Sequence, residues 1–598
     1  MTVDICLVVP PFAQVETPTL GAAILAAACR ARGLLVRTIH ANLMLAARAG
    51  YAGYHDVANS NVASMLGERL FHPYAYPEDA GLSFERPARL PETLKAGRDA
   101  IAPAIPLFLD ELCERILALE PRILGISSVF QQTLAASAVA LRIKAKRPGI
   151  RIVLGGANAS SPMGDALAEI FPWIDHFFSG EADIAFPDFC ASLLEEGAPA
   201  APRLIHCLPL TDMRRSPMPD FGDYFADLDE LRAGGRLPAE LPTALPVETS
   251  RGCWWGVKNH CTFCGLNGET MAFREKPAAA ALAEFDALAR WGVGRFALAD
   301  NIMPLRYLGD LLPALAEREA PPDIFYEVKA NLTAAQLGLM QRAGITAIQP
   351  GIESLATPVL KLMHKGVSAH QNLMLLRNCR SLGMRVIWNY LYGFPGEQVE
   401  DYAALLPLIP AIEHLEPPQG MGALIVDRFS PYFNTPGAYG IGAIKPIGAY
   451  RGLYPRGARL ADIAYHFQGD YTTDLLDDVG TRRAVARAIG EWRLQWIAGP
   501  VPELRLDRDA GKPFLIDTRR IARAQRVALS EEGEALLQSL ERPRVREWID
   551  GADVELLNDF VAGDYVVEHE GKLLSVVTAE VDPARTVSTK TDIVAEPA

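Results

Sequence analysis

The chain has 598 residues, 49% hydrophobic and 22% charged, with a formal net charge of −14, a profile that fits soluble globular protein in three or four domains. So acidic a chain, with no basic patch in its sequence, repels polyanions, which excludes nucleic acid as a substrate class. No apolar run is long enough to span a bilayer; the nearest, residues 20–28, is closed by Arg30 and Arg32. The N-terminus lacks a basic n-region, and nine scattered cysteines do not form a disulfide framework, so a cytoplasmic protein is expected.

Residues 1–190 alternate strands and helices. An apolar strand at 3–9 ends at Pro10-Pro11, an Ala-rich helix covers 20–31, further strands fall at 35–39, 123–127 and 152–154, and a helix at 135–146. This alternation predicts a doubly wound, Rossmann-like parallel sheet that binds its ligand beyond the carboxyl ends of the strands. Three loops lie there: Thr17-Pro18-Thr19-Leu20-Gly21; Ser127-Ser128-Val129-Phe130-Gln131-Gln132-Thr133; and Gly155-Gly156-Ala157-Asn158-Ala159-Ser160, with Gly180-Glu181-Ala182-Asp183 beyond. Glycines admit a ligand close to the backbone and hydroxyls bond its polar groups; singly, each loop also reads as an ordinary turn. An insert at 46–104, holding Gly67-Glu68-Arg69-Leu70-Phe71, interrupts the pattern.

Residues 191–240, with Pro217 and Pro219, read as a linker. A second series, 241–450, has strands at 244–249, 295–299, 324–328, 347–351, 385–391 and 423–428. Six strands alternating with helices predict a partial (β/α)6 barrel of TIM type, active at its carboxyl ends. The last region, 470–598, has a helix at 484–497, strand and turn at 504–516, short helices at 529–540, 544–549 and 554–562, and a hairpin at 564–577. That order suggests a small α+β, winged-helix-like domain, but 13 basic against 20 acidic side chains over 503–598 argue against a DNA-binding sensor. The tail after Asp582 is expected to be disordered.

The most diagnostic run is Ser250-Arg251-Gly252-Cys253-Trp254-Trp255-Gly256-Val257-Lys258-Asn259-His260-Cys261-Thr262-Phe263-Cys264, which gathers three of the nine cysteines. Three thiolates hold three irons of a cubane [4Fe–4S] cluster and leave the fourth iron open to a substrate or cofactor. Zinc is the rival, but a structural zinc needs four ligands in tetrahedral closure, and His260, adjacent to Cys261, is poorly placed to share its metal.

This run resembles the radical S-adenosylmethionine (SAM) superfamily, whose cluster cysteines follow the first strand of a partial (β/α) barrel. Phe263 falls where that superfamily carries an aromatic residue before the last cysteine. The common spacing is three residues, then two; here it is seven, then two. Cys-Trp-Trp-Gly with His-Cys-Thr-Phe-Cys-Gly-Leu-Asn-Gly is similar to the cobalamin-dependent (class B) radical SAM methyltransferases that mature ribosomally made peptides, and the resemblance covers nearly the whole chain.

That resemblance implies three cofactors: a [4Fe–4S] cluster on Cys253, Cys261 and Cys264; SAM bound by Phe263, Gly265, Glu353, Ser354 and Asn389; and cobalamin in the first domain. The cobalamin contacts would be Thr19, Leu20, Arg69, Ser127, Ser128, Gln132, Gly155, Gly156, Asn158, Gly180 and Glu181. The Asp-x-His-x-x-Gly signature is absent, which implies base-off cobalamin without a His ligand. Arg69 reads either as a solvated arginine or as a cation below cobalt; the latter is similar to the tryptophan C2-methyltransferase branch linked to thiopeptide antibiotic biosynthesis. Glu269 or Glu275 is either a loop carboxylate or a ligand to the open iron, which would redirect SAM to plain methyl donation; the catalytic roles then fall to Arg69 and Glu269. Asp300-Asn301, Glu327-Val328-Lys329 and Arg428-Phe429-Ser430-Pro431-Tyr432 close further barrel strands.

The implied activity is C-methylation, either of tryptophan at indole C2 via methylcobalamin or, by a radical path, of an unactivated carbon in a precursor peptide. A non-methylating radical cyclase or epimerase is the alternative. The substrate is then free tryptophan or a precursor peptide, the electron donor a flavodoxin or ferredoxin, and the C-terminal domain resembles leader-peptide recognition elements that add a peptide as a strand at a sheet edge.

Overall fold

The computed structural model describes residues 2–60, 62, 64–79, 90–195, 201–268, 270–549 and 551–578. The tail after Asp582 and Glu269 lie outside the described residues. Strands β1 (Ile5–Val9), β2 (Val36–His40), β3 (Ile123–Ser127), β4 (Arg151–Gly155), β5 (His176–Ser179) and β6 (Leu204–His206) form one parallel sheet in the order β2-β1-β3-β4-β5-β6. β1 is buried along its whole length, as an apolar run is when helices cover both faces of a parallel sheet. The strand order turns back between β1 and β3. A doubly wound sheet opens a crevice at such a switch point, and the loops after β1 and β3 border it.

The stretch expected as a linker is structured. β6 extends the sheet, and the helix Gly222–Ala233 packs against β2, where Asp227 accepts from the His40 backbone N–H at 2.9 Å. β6 has three residues, none of them fully buried, so no apolar run marked it in the sequence. The insert contributes the helices Tyr51–Ala58, Leu66–Ala75 and Glu92–Ile101. The first and third touch at Gly53 and Gly97, where a Cβ on Gly97 would stand 2.7 Å from the Gly53 carbonyl oxygen. Helix Leu66–Ala75 lies against helix Thr133–Lys146 at the open end of the sheet.

The second series begins with β7 (Leu245–Val247). A two-stranded ribbon, β8 (Ser250–Arg251) with β9 (Arg274–Glu275), brackets the cysteine run. β10 (Arg295–Leu298), β11 (Asp323–Glu327), β12 (Ile345–Gln349) and β13 (Arg385–Val386) continue from β7 in parallel. The strand expected at 385–391 is split: after β13 the chain re-pairs as β14 (Tyr390–Tyr392) with β15 (Met421–Ala423), joined to the main sheet through Glu353 and Tyr390.

The strand expected at 423–428 is also split. β16 (Val426–Asp427) leaves the barrel to pair antiparallel with residues His466–Gly469, which pair in turn with Ile444–Pro446. The segment 424–470 thus bridges back to the first sheet. Its helix Leu460–Ile463 packs on helix Met163–Ile170, and Arg459 pairs with Glu169 at 2.8 Å.

In the last region, Leu504–Asp509, Lys512–Asp517 and Arg526–Ala528 form an antiparallel sheet rather than a strand and turn. The helices Glu531–Ser539 and Val554–Ala562 and the hairpin Val566–His569 with Lys572–Ser575 follow. The helix expected at 544–549 is a single turn, Arg546–Trp548, because Arg544 is held extended by backbone bonds of 3.0 and 2.7 Å with Leu573. This region docks on the barrel through buried polar contacts: Arg377 Nη1 donates to the Ser575 carbonyl at 2.7 Å, His414 Nε2 to Val576 at 2.8 Å and Arg519 Nη1 to Ala411 at 2.6 Å.

Candidate active site

β7 leads directly into the cysteine loop. Gly252 has a φ of +80°, and a Cβ there would stand 2.2 Å from the Ala272 carbonyl oxygen, so the turn has no room for a side chain. Cys253 Sγ accepts from the Gly256 N–H at 3.3 Å and caps a short helix, Trp254–Asn259. That helix fills the seven-residue gap between the first two cysteines, which accounts for the unusual spacing. Both tryptophans pin it across the barrel mouth: Trp254 Nε1 donates to the Met303 carbonyl at 3.0 Å and Trp255 Nε1 to His364 at 3.2 Å. Lys329 Nζ sits 3.5 Å from the Trp255 ring centroid, a close cation–π contact. Gly265 admits the chain of the next element: a Cβ there would meet the Arg428 carbonyl oxygen at 2.1 Å.

The three cysteines are brought together: the Cys253 thiol feels the charge of Cys261, and the Cys264 thiol that of Cys261 and Cys253. Burial pushes the Cys264 thiol up to about 12 and raises Cys253, with Cys261 adding to both. Such thiols ionise only when a strong cation joins them, which iron does. Among the described residues no three His, Cys, Asp or Glu side chains converge on a point that one ion could occupy. His260 Nε2 donates to the Cys264 carbonyl at 2.8 Å, so that nitrogen is not a metal donor. Three thiolates fit a cluster in which each binds a different iron, whereas a structural zinc needs four ligands.

Charged groups crowd the same mouth. Glu353 sits at a φ of +55°, and Lys365 Nζ lies 3.4 Å from its Oε1. Burial depresses Lys365, yet Glu353, Cys261 and Cys264 together raise it above the ordinary lysine value. Lys329 is lowered to about 8 by burial and by Lys365. Glu327 rises to about 7 through burial and the neighbouring Asp300 and Glu353. Asp300 rises to about 6 by burial, although it accepts from Thr249 N–H at 2.6 Å, Ser250 Oγ at 2.9 Å and Tyr326 Oη at 2.8 Å. Phe263 meets Phe394 edge-on at 5.7 Å, Ser354 is buried and Asn389 half-buried between β13 and β14. Glu275 is engaged by Arg306 at 3.1 Å. Lys365 escaped sequence reasoning because it sits in a turn twelve residues beyond Glu353, and only the fold brings its ammonium back to that carboxylate and to the cysteines about a hundred residues earlier; the one local signal is the glycine after it.

In the loop after β4, packed against the loop after β3, Gly156 has a φ of +101°, and a Cβ there would stand 2.6 Å from the Ser128 carbonyl oxygen. Asn158 Nδ2 donates to Ser128 Oγ at 3.1 Å, Phe130 O at 2.8 Å and Thr133 Oγ1 at 2.9 Å. Gln132 is used within the loops, donating to the Pro10 carbonyl at 3.0 Å and accepting from Val129 N–H at 2.9 Å. Ser127 Oγ is buried without a hydrogen-bond partner, an acceptor and donor left for a ligand. Thr19 precedes helix Leu20–Ala31 without capping it by its side chain.

Glu68 accepts from Thr133 and Leu134 N–H at 2.9 and 2.7 Å, which anchors its helix over the crevice edge. Arg69, 8% exposed, donates to the Ser64 carbonyl at 3.1 Å and to Ala449 at 2.9 Å, so it bridges the insert to segment 424–470 rather than projecting into solvent. Gly180 turns at a φ of +96°, while Glu181 bonds Arg251 and Arg274 at the base of the cysteine loop. A cavity of about 440 Å³ lies beside the cysteine loop, bordered by Pro162, His260, Met271, Arg428, Phe429 and Phe433.

Residues 247–409 match the family profile of the Radical SAM superfamily, so the chain carries a radical SAM domain. Among curated proteins, it is 20% identical over 323 residues to an uncharacterized methyltransferase of Pyrococcus horikoshii, covering 50% of this chain and 66% of that protein. It is 24% identical over 288 residues to the tRNA-2-methylthio-N(6)-dimethylallyladenosine synthase of Saccharophagus degradans, covering 45% and 57%. The chain thus spans less than two thirds of these relatives' lengths. Among solved structures, the radical SAM methyltransferase TsrM from Kitasatospora setae, with tryptophan substrate and a SAM analogue bound, is similar with a TM-score of 0.51 at 14% identity, over 81% of this chain and 89% of that one. The cobalamin-dependent SAM radical enzyme OxsB, with aqua-cobalamin and SAM bound, gives 0.50 at 16% identity, over 73% and 61%. At these identities the likeness is one of fold: parallel-sheet α/β domains in a multidomain arrangement.

Proposed function

We propose that the chain is a cobalamin- and SAM-dependent C-methyltransferase with a three-cysteine [4Fe–4S] site, acting on tryptophan at indole C2 in the biosynthesis of a peptide-derived antibiotic. The observation that carries this reading is the gathering of Cys253, Cys261 and Cys264 beside Glu353 and Lys365 at the barrel mouth, with the loop after β5 of the first sheet bonded to the base of the same cysteine loop through Glu181, Asp183 and Arg251. When bound, the cluster and SAM supply the electron and the methyl group, and the corrin a carrier for that methyl.

The chain's own residues supply position and charge. The Glu353 carboxylate and Lys365 ammonium offer opposite charges to the two ends of an amino-acid zwitterion such as the methionyl part of SAM. The glycine turn at Gly155-Gly156 and the unpartnered Ser127 hydroxyl support the corrin reading of the first crevice. Arg69, fixed by two carbonyls, keeps a positive charge at the crevice edge, which supports base-off cobalamin and polar rather than radical transfer. A tRNA substrate is disfavoured by the net charge of −14.

Anaerobic incubation of the reconstituted protein with SAM, a reductant such as flavodoxin, and either tryptophan or a precursor peptide tests the reading by mass spectrometry. Methylated tryptophan with S-adenosylhomocysteine and little 5'-deoxyadenosine is expected. One 5'-deoxyadenosine per methylated peptide would turn the reading to radical methylation, and a product of unchanged mass to an epimerase.

A further inference from the structure

Two parts of the molecule with separate proposed cofactors are joined at a polar knot. Arg251, two residues before Cys253, donates to Asp183 at 2.9 and 2.7 Å, to Glu181 at 2.9 Å and to both Glu248 oxygens at 2.8 Å. Arg274 pairs with Arg251 across the β8–β9 ribbon and adds bonds to Glu181 at 3.0 and 2.8 Å and to the Leu210 carbonyl at 2.7 Å. Glu181 closes the set by accepting from the Leu210 N–H at 2.7 Å.

Three carboxylates thus share two guanidinium forks, and none of the five side chains is more than 23% exposed. Glu181 and Asp183 belong to the loop after β5; the other three belong to the base of the cysteine loop. Arginine–carboxylate forks are directional, so the knot fixes orientation as well as proximity. Burial alone would push Glu181 and Asp183 up, yet the arginine bonds outweigh it and hold both below the usual carboxylate range.

We infer that this knot is a positioning device in which Asp183 and Arg274, as positioning residues, set the distance and angle between the cysteine loop and the crevice of the first sheet. The inference rests on the proposed function, since it gives the knot two cofactors to hold in register. Methyl transfer needs reacting atoms in near-contact geometry, and a displacement of about 1 Å costs about 10²-fold in rate.

The test uses full-length Asp183→Asn and Arg274→Gln, loaded with iron, sulfide and hydroxocobalamin. Cofactor stoichiometry equal to the parent is expected. Broadening of the reduced-cluster electron-spin signal by Co(II) should weaken, and release of S-adenosylhomocysteine from SAM with reduced cobalamin should slow at least tenfold. Unchanged spin coupling and rate, even with a lowered unfolding temperature, would reduce the knot to a stabilising ion pair and overturn the inference. Asp183→Glu, which keeps the charge and moves it by one methylene, serves if Asp183→Asn does not fold. Hydrogen exchange over residues 250–264 in cofactor-free protein separates the two claims. If the parent binds no cobalamin, the functional reading fails; faster exchange in Asp183→Asn would then show only that the knot orders the cysteine loop against the loop after β5, and unchanged exchange would overturn that as well.

Discussion

At the barrel mouth, ionisable groups crowd together: Asp300, which is buried, and, half-buried, the three thiols, Lys329, Lys365, Glu327 and Glu353. At the open end of the first sheet, the loops after β3 and β4 carry neutral polar side chains mostly bonded to one another, as in the Asn158–Ser128–Thr133 set and the Gln132–Pro10 bond, while the two ionisable side chains at the edge, Glu68 and Arg69, are tied to backbone groups. The first arrangement recognises by charge, because buried charges interact strongly in low dielectric. The second recognises by backbone and shape, because its side chains hold the loops while glycines leave the room. Side-chain changes should therefore dominate at the barrel, and added atoms should dominate at the crevice.

The largest expected effect is at the barrel. Replacing Cys253, Cys261 and Cys264 together by Ala should abolish iron and sulfide binding and all turnover while cobalamin binding persists; a full cluster in the triple variant would refute the assignment. Next comes the crevice. Gly156→Ala combines a positive φ with a Cβ 2.6 Å from the Ser128 carbonyl oxygen, and should destabilise the first domain by about 2–4 kcal/mol and weaken cobalamin binding, measured by denaturant melts and optical titration. A neutral result would mean that this turn has slack.

Glu327 sharpens the charge side of the contrast. Burial first, then Asp300 and Glu353, raises it from 4.5 to about 7. The stability this group contributes is present below about pH 4.5 and is lost as pH rises through about 7, where the folded protein must ionise a buried carboxyl. Glu327→Gln does not titrate, so its stability relative to the parent should improve between pH 5 and pH 8 by up to about 3 kcal/mol. A gap independent of pH would mean that Glu327 is better hydrated than its surroundings suggest. The smallest effect is Asn158→Ala, which removes bonds internal to the crevice loops: about 1 kcal/mol of stability and less than about tenfold in cobalamin affinity. A complete loss of cobalamin binding there would show that the crevice, too, recognises by side chains.

What was legible in the sequence was local. The apolar run of β1, the strand-end loops and the closely spaced cysteines are each read within a dozen residues. What was not legible depends on partners distant in the chain: Arg251 meets Asp183 across 68 positions and Arg69 meets Ala449 across 380. Glu181 read as a ligand-loop acid because nothing nearby pairs with it, yet its arginines stand 70 and 93 residues away. β6 was too short and too exposed to show a period. The strand expected at 423–428 broke because its second half finds an antiparallel partner at His466–Gly469. The C-terminal domain reads as separable in sequence, but buried bonds such as Arg377 to Ser575 and His414 to Val576 tie it to the barrel helices.

In sequence, the long interval between Cys253 and Cys261 looks like slack. As folded, it is a stiff spacer: one helical turn and a half held at each tryptophan by a carbonyl. A stiff spacer has little conformational freedom left to lose when a metal group arrives, so capture of iron and sulfide should cost less ordering entropy than at a floppy loop. Lengthening the interval with flexible residues would then weaken assembly through entropy alone, with all three thiols still present.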